Sequence, residues 1–262
     1  MAMDYEGFKN EILGLTDVNL SCYKEKQMKR RIDSLITKNK FGLYEDYIKA
    51  IRVDMNLLNK FKKYMTINVS EFFRNPEQWE VLEKEIIPLL LNKTRYLNIW
   101  SAACSTGEEP YTLVMILNKF LPLCSIRILA SDIDMHSIEK AKEGTYSCRS
   151  VEKIPRDLLL KYFIKTGDSY RVIDDIKKCV VYNQHNLLKD EYPKMCDLII
   201  CRNVLIYFTE EAKVNIYNNL NKALKTAGIL FVGSTEQIIF SNKYMLNPVK
   251  TFFYEKEDNI QK

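Results

Sequence analysis

Residues 99–111, which read Ile-Trp-Ser-Ala-Ala-Cys-Ser-Thr-Gly-Glu-Glu-Pro-Tyr, constrain the architecture more than any other stretch of the chain. An apolar run from Tyr96 to Trp100 breaks into a loop of small residues, and the loop opens into a helical pattern from Pro110 to Leu121. Strand, tight loop and helix in that order form the opening unit of a nucleotide-binding α/β fold, where the ligand rests on the loop and the helix N-terminus. The glycine content narrows the ligand. A dinucleotide loop uses three glycines to bring backbone against a pyrophosphate. Here Gly107 stands alone, and Glu108 and Glu109 occupy the place of the phosphate. Two carboxylates repel an anion and attract a cation. The competing explanation is that both acids only complement the helix dipole.

A cation-bearing nucleoside without phosphate suits such a loop, and S-adenosylmethionine, with its sulfonium and ammonium, is one. The rest of the chain extends the α/β reading. Strand-length apolar runs at Tyr96–Trp100, Ile126–Ser131, Cys179–Tyr182, Asp197–Cys201, Ile229–Val232 and Thr251–Tyr254 alternate with helical patterns at Pro110–Leu121, His136–Glu143 and Glu210–Lys225. Alternation of this kind predicts an α/β fold, a doubly wound, mostly parallel sheet with helices on both faces. Before Thr66 the pattern is helical throughout, with helices expected at Asp4–Leu13, Leu20–Lys38, Leu43–Ile51 and near Met55–Met65. We therefore expect a small all-helical domain over 1–65 and an α/β domain over 66–262. The interval from Asp132 to Asn186 is about twice what a βα step needs. Its surplus, about 145–180, reads as an inserted β-subdomain with a hairpin in which Tyr170–Ile173 and Lys178–Tyr182 flank Asp174-Asp175.

Composition removes several classes. Seven cysteines without a Cys-x-x-Cys pair, and only two histidines, argue against a zinc site and a disulfide framework, so no metal is expected. No apolar run reaches the roughly 18 residues of a membrane span, and the start lacks the basic flank and apolar core of a signal peptide. A reduced, cytoplasmic protein is expected, without membrane insertion. The net charge of +5 is too small to imply nucleic acid by itself. It is concentrated between Asn19 and Lys40, where Lys24, Lys26, Lys29, Arg30, Arg31, Lys38 and Lys40 face only Glu25 and Asp33. Read as a helix, Met28, Ile32, Leu35 and Ile36 share one face and the bases cover the rest. This is either a solvated face or a docking surface for an acidic partner. Apart from Tyr23 it lacks the interleaved aromatics that stack nucleic-acid bases.

Four further groups carry chemistry. Asp132 closes its strand where doubly wound folds bind a ribose diol, with Asp134 as a rival or both as turn residues. Asn186 and Leu187 follow the next strand, where an amide suits an adenine edge. Arg202, Asn203 and Tyr207 follow the apolar strand at Asp197–Cys201, although a tyrosine there also packs. Asn68, Ser70 and Arg74 lie in a segment anchored by Phe72 and Phe73, or else form a helix cap.

Taken together, Thr66–Arg74, Trp100–Tyr111, Ala130–Asp134, Gly144–Tyr146, Cys201–Phe208 and Gly233–Glu236, with Tyr23-Lys24 and Lys29–Arg31 before them, resemble the CheR family of chemotaxis receptor methyltransferases over nearly the full length. The resemblance implies a Rossmann-like class I S-adenosylmethionine-dependent methyltransferase that forms glutamate methyl esters on chemoreceptors, with S-adenosylhomocysteine as product. It implies a cofactor site of Asn68, Ser70, Arg74, Glu108, Asp132, Asn186, Leu187, Arg202 and Asn203, with Arg74 and Tyr207 facing the acceptor carboxylate. The implied partner is the cytoplasmic domain of a transmembrane chemoreceptor, met through its acidic methylation helices by the basic N-terminal helix. In some members the insert also grips a C-terminal tether peptide. Neither a coiled coil nor a swapped strand is in view, so a monomer is expected. Ser70 replaces a more usual threonine and keeps the hydroxyl; Asn75 replaces an acid; Thr235 replaces a serine before Glu236. The alternatives are a methyltransferase with another acceptor, or a regulatory protein that binds the cofactor without turnover.

Overall fold

The computed structural model describes residues 3–66 and 69–258. Two compact units divide the chain, one of Met1–Ile67 with Tyr207–Asn215, the other of Asn68–Ile206 with Ile216–Lys262. The first unit therefore also includes 207–215, a stretch that the sequence reading placed in the second domain.

The first unit is built from helices α1 (Tyr5–Thr16), α2 (Glu25–Lys38), α3 (Tyr44–Val53) and α4 (Met55–Met65). Asp4 caps α1 through the Gly7 N–H at 2.8 Å, and Asp54 caps α4 through the Asn56 N–H at 2.8 Å. Phe8, Ile12, Ile32, Tyr47 and Phe61 are fully buried in its core, and the predicted face of α2 (Met28, Ile32, Leu35, Ile36) is the buried one. The 207–215 segment is tied to this unit by backbone. The Lys24 N–H donates to the Tyr207 carbonyl and the Thr209 N–H to the Cys22 carbonyl, both at 2.9 Å.

The second unit begins with a helical run over 76–93, formed by α5 (Pro76–Val81), a π-turn (Leu82–Ile86) and α6 (Ile87–Lys93). Its apolar face (Trp79, Leu82, Ile86, Ile87, Leu90) is buried. The π-turn ends one residue short of Pro88, the second residue of α6, which has no N–H for the helical ladder. No helix is among those expected here from the sequence.

A seven-stranded sheet follows, in the order β6-β2-β1-β7-β8-β10-β9. Strands β1 (Ile99–Ala102), β2 (Ile128–Asp132), β6 (Val180–Gln184), β7 (Cys196–Cys201) and β8 (Leu224–Val232) are parallel; β10 (Phe253–Lys256) and β9 (Leu246–Lys250) close one side antiparallel. Full burial of β1 and β7 explains why both read as unbroken apolar runs. The one charge in β7, Asp197, is paired. It accepts from Lys225 Nζ at 2.8 Å and from the Asn98 N–H at 2.7 Å. Strand β9 carries Pro248, which an edge position tolerates because its missing N–H faces no partner strand. Helices α7 (Glu108–Leu117), α8 (Met135–Glu143) and α11 (Glu210–Ala223) lie between strands.

Between α8 and β6 stand β3 (Thr145–Ser147), α9 (Arg156–Tyr162), β4 (Phe163–Thr166), β5 (Ser169–Val172) and α10 (Asp174–Lys177). They form a separate antiparallel sheet in the order β3-β5-β4. The hairpin differs from the expected one. Residues 169–172 pair with β4 across a turn at Gly167, whose φ of 57° supplies the left-handed conformation a tight hairpin demands. Asp174-Asp175 instead starts α10, and the strand after it joins β2 in the parallel sheet.

Among the described residues, no helix is long and apolar enough to cross a membrane, and no cluster of His, Cys, Asp or Glu could hold a metal ion.

Candidate functional site

The loop between β1 and α7 is bent by three residues of positive φ, Ala103 (60°), Ser105 (49°) and Gly107 (93°). It is fastened to the end of β2, where the Cys104 N–H donates to the Ser131 carbonyl at 2.9 Å and the Ser105 N–H to Asp132 Oδ2 at 2.8 Å. Tyr146 of β3 supports it from below by donating from Oη to the Thr106 carbonyl at 2.7 Å. Gly107 has no room for a side chain: a Cβ would meet Ala141 Cβ at 2.8 Å, Tyr182 Oη at 2.9 Å and Tyr146 Oη at 3.0 Å.

The acids are disposed unequally. Asp132 is buried at the carboxyl end of β2, and its second oxygen accepts the Asp134 N–H at 2.9 Å. Burial pushes its carboxyl up, against the pull of the backbone N–H groups of Asp134 and Ser105. Asp134, the rival for the ribose role, is spent on capping α8, accepting from the His136 N–H at 3.1 Å and Ser137 Oγ at 2.9 Å. Glu108 is also buried, with Thr106 Oγ1 donating to its carboxylate at 2.7 Å and Ser70 hydrogen-bonded to it; burial pushes this carboxyl up, and both hydroxyls oppose the shift. Ser70 and Glu108, distant in sequence, are therefore brought together. Glu109 points elsewhere. It accepts from Ser101 Oγ at 2.9 Å and lies 3.8 Å from Arg202, and burial pushes it up to about 7 against the attraction of that guanidinium.

Arg74 sits half-buried at the crest of a strained turn, with Phe73 (φ 50°) and Asn75 (φ 59°) left-handed on either side. Such residues cost of order 1–3 kcal/mol each and persist only where the surroundings over-determine them. Here Phe72 is buried, the Phe73 N–H donates to Thr112 Oγ1 at 3.2 Å, and the Arg74 carbonyl accepts from Trp79 Nε1 at 3.0 Å and Arg202 Nη2 at 2.8 Å. Arg74 Nη1 donates to the Val69 carbonyl at 3.1 Å. Arg202 is the buried strut of this arrangement. Its guanidinium lies 5.1 Å from the Trp79 ring and 4.6 Å from the Phe231 ring, and Nη2 also donates to Gln78 Oε1 at 2.8 Å.

Asn203 follows in a left-handed conformation (φ 59°), its N–H donating to Glu236 Oε2 at 2.5 Å. Asn186 and Leu187 lie in the turn after β6. Asn186 Oδ1 accepts the Leu188 N–H at 2.9 Å, and the Leu187 carbonyl accepts from Tyr192 Oη at 2.7 Å. Beside them a cavity of about 310 Å³ is lined by Trp100, Ser131, His185 and Tyr192 among others. It contains none of the predicted cofactor residues, although Ser131 adjoins Asp132 and His185 adjoins Asn186.

Ser70, Arg74, Glu108, Asp132, Asn186, Leu187, Arg202 and Asn203 thus all belong to the α/β unit, on segments at or beside the carboxyl ends of β1, β2, β6 and β7 or in the turn that Arg202 holds. Tyr207 belongs to the helical unit. Asn68 lies outside the described residues. Three residues absent from the sequence-based site also organise it: Gln78, Glu109 and Glu236. Glu109 was legible as the second acid of the loop, and Glu236 as the last residue of the Gly233–Glu236 motif; Gln78 carried no signal.

Two family descriptions match the chain, "CheR methyltransferase, SAM binding domain" over residues 68–253 and "CheR methyltransferase, all-alpha domain" over residues 3–66. The chemotaxis protein methyltransferase of Listeria innocua is 41% identical over 254 residues, 97% of each chain. That of Borreliella burgdorferi is 33% identical over 236 residues, 84% of this chain and 83% of the relative. Chemotaxis protein methyltransferase 2 of Vibrio cholerae is 34% identical over 225 residues, 82% of this chain and 77% of the relative.

Proposed function

The chain belongs to the CheR methyltransferase family, and we propose that its S-adenosylmethionine-dependent methylation in chemotaxis is directed at glutamate carboxylates of chemoreceptors, which become methyl esters. The buried acid pair Asp132 and Glu108 at the carboxyl edge of the sheet is the observation that carries the cofactor side of this reading. Each carboxyl is pushed toward its neutral form by burial, so a cationic group beside Glu108 and hydroxyl donors to Asp132 offset that penalty. A phosphate there would add to it.

When bound, S-adenosylmethionine supplies a methyl group on a positive sulfur, so that transfer forms an O–C bond to the acceptor, breaks the S–C bond and leaves a neutral thioether. Asp132 would hold the ribose hydroxyls, Glu108 would meet the positive end, and Asn203 and Asn186 would contribute amide contacts. The acceptor needs no base, because a glutamate side chain with pKa about 4.3 is already ionised at neutral pH. That suits a set of site residues without histidine. The task left to the protein is positioning, which brings nucleophile and methyl carbon to about 3–3.5 Å. Arg74 orients the acceptor through its planar fork, and its partial exposure limits how tightly it holds the ground state. Tyr207, on the helical unit, is proposed as a hydroxyl donor in the reaction.

On the helical unit, two of the seven bases in the 19–40 stretch are used internally: Lys29 pairs with Asp33 at 3.0 Å, and Arg31 donates to the Tyr64 carbonyl at 2.5 Å. Lys26, Arg30, Lys38 and Lys40 remain exposed, and we assign them to the acidic methylation helices of the receptor. The test is methylation of a purified chemoreceptor cytoplasmic fragment by the full-length chain. Labelled methyl should enter the wild-type fragment and fail to enter one whose methylation-helix glutamates are glutamine. Equal labelling of both fragments would reject a glutamate acceptor.

A further inference from the structure

The turn after β7 and the turn after β8 meet on one buried carboxylate. Glu236 is 5% exposed, and each of its oxygens accepts two backbone N–H groups: Oε2 from Asn203 at 2.5 Å and Gly233 at 3.0 Å, Oε1 from Leu205 at 2.6 Å and Ile206 at 3.3 Å. We propose that Glu236 is a positioning residue for methyl transfer, holding in place the left-handed Asn203 that contacts the cofactor.

Two features set this contact apart from ordinary loop bracing. Asn203 is left-handed (φ 59°), a conformation that asparagine takes more readily than other non-glycine residues, and the Glu236 carboxylate fixes it by accepting its N–H. The turn after β8 is shaped around the same carboxylate. A Cβ at Gly233 would come within 2.5 Å of Glu236 Oε2 and 2.9 Å of the Asn203 nitrogen, so only glycine leaves room for the oxygen between the two turns. The chemistry of the position is narrow. Four donors converge, so an acceptor-only group is required, and an ionised carboxylate is the side chain that offers two acceptor oxygens and no donor. Glutamine would turn an NH₂ toward one pair of N–H groups and lose those bonds. Aspartate keeps the acceptors but is one methylene shorter.

The inference rests on the proposed cofactor reading, and its test separates the two. Full-length Glu236→Gln and Glu236→Asp are compared with wild type in S-adenosylhomocysteine affinity, in kcat and KM for S-adenosylmethionine, and in urea unfolding. For Glu236→Gln, under conditions where it is fully folded, we expect about a tenfold loss of affinity for S-adenosylhomocysteine, the scale of one charge-assisted hydrogen bond, and a matching loss in kcat/KM. Glu236→Asp should recover part of both. Because the effect runs through Asn203, Glu236→Asp should cost much less affinity in an Asn203→Gly background than alone. A Glu236→Gln protein that is less stable yet binds and turns over within twofold of wild type would reduce Glu236 to a structural brace. Additive losses in the double variant would overturn the route through Asn203, even if Glu236→Gln fails to fold. Wild type that binds S-adenosylhomocysteine but methylates no receptor would refute the acceptor reading and leave the affinity comparisons to decide this one.

Discussion

Replacing Gly107 by alanine tests whether the cofactor loop is built on the close approach described above. Two costs combine. At φ 93° a Cβ lies in the left-handed region, which disfavours an L side chain by roughly 1–2 kcal/mol. The new methyl would also stand 2.8 Å from Ala141 Cβ, 2.9 Å from Tyr182 Oη and 3.0 Å from Tyr146 Oη, in a packed interior with little room to yield. Overpacking of that kind costs about 1–3 kcal/mol. Tyr146 can retreat only by giving up its bond to the Thr106 carbonyl, which transmits the strain into the loop itself. The expected loss is roughly 2–5 kcal/mol in urea unfolding, with weakened S-adenosylhomocysteine binding in the fraction that remains folded. Gly14 is the internal control. It lies in α1, where a Cβ would meet nothing within 4 Å, so Gly14→Ala should raise stability by about 0.5–1 kcal/mol. A Gly107→Ala protein within about 0.5 kcal/mol of wild type would refute the reasoning, because neither strain nor crowding would then be real.

Three further outcomes can be checked with the same protein. Glu109, raised from 4.5 to about 7, keeps in the folded state a proton that the unfolded chain releases; wild-type stability should therefore fall relative to Glu109→Gln as pH rises from 5.5 to 7.5, by roughly 2 kcal/mol at 1.36 kcal/mol per pKa unit, and parallel urea curves would refute it. Asp132→Asn should weaken S-adenosylhomocysteine binding at least tenfold, whereas Tyr207→Phe should leave that affinity unchanged and lower kcat; calorimetry and steady-state kinetics that gave the reverse pattern would show the roles to be misassigned. Charge reversal at Lys26 and Arg30, both exposed on α2, should raise KM for a receptor fragment severalfold, more so at low salt, without altering cofactor affinity; a salt-independent KM would count against electrostatic docking.

The sequence was most legible where periodicity and burial agree. Strands β1, β2, β7 and β8 are apolar because both of their faces are covered, so their runs stood out. Met28, Ile32, Leu35 and Ile36 announced the buried face of α2 by spacing alone. The helix over 76–93 keeps helical spacing in Trp79, Leu82, Ile86, Ile87 and Leu90, but Pro88 inside it is a residue that ordinarily breaks a helix. The hairpin was misplaced because Asp174-Asp175 resembles a turn, whereas Gly167 supplies the left-handed residue that the real turn requires. In the site, residue types pointed to Asp132 and Glu108, but side-chain direction is a tertiary property. No local pattern distinguishes Glu108, which faces Ser70 and Thr106, from Glu109, which faces Ser101 and Arg202. The same holds for Arg202, whose guanidinium is buried between Trp79 and Phe231 and bonded to the Arg74 carbonyl, contacts that only the fold creates.

The central claim is that the accepting atom is a carboxylate oxygen, and the chemical lability of the product tests it most directly. After transfer of labelled methyl from S-adenosylmethionine to a chemoreceptor cytoplasmic fragment, the fragment is isolated and exposed to mild base. An ester predicts that the label leaves as methanol. Label that stays on the fragment through base would mean methylation at nitrogen, sulfur or an ether oxygen, and would contradict the account.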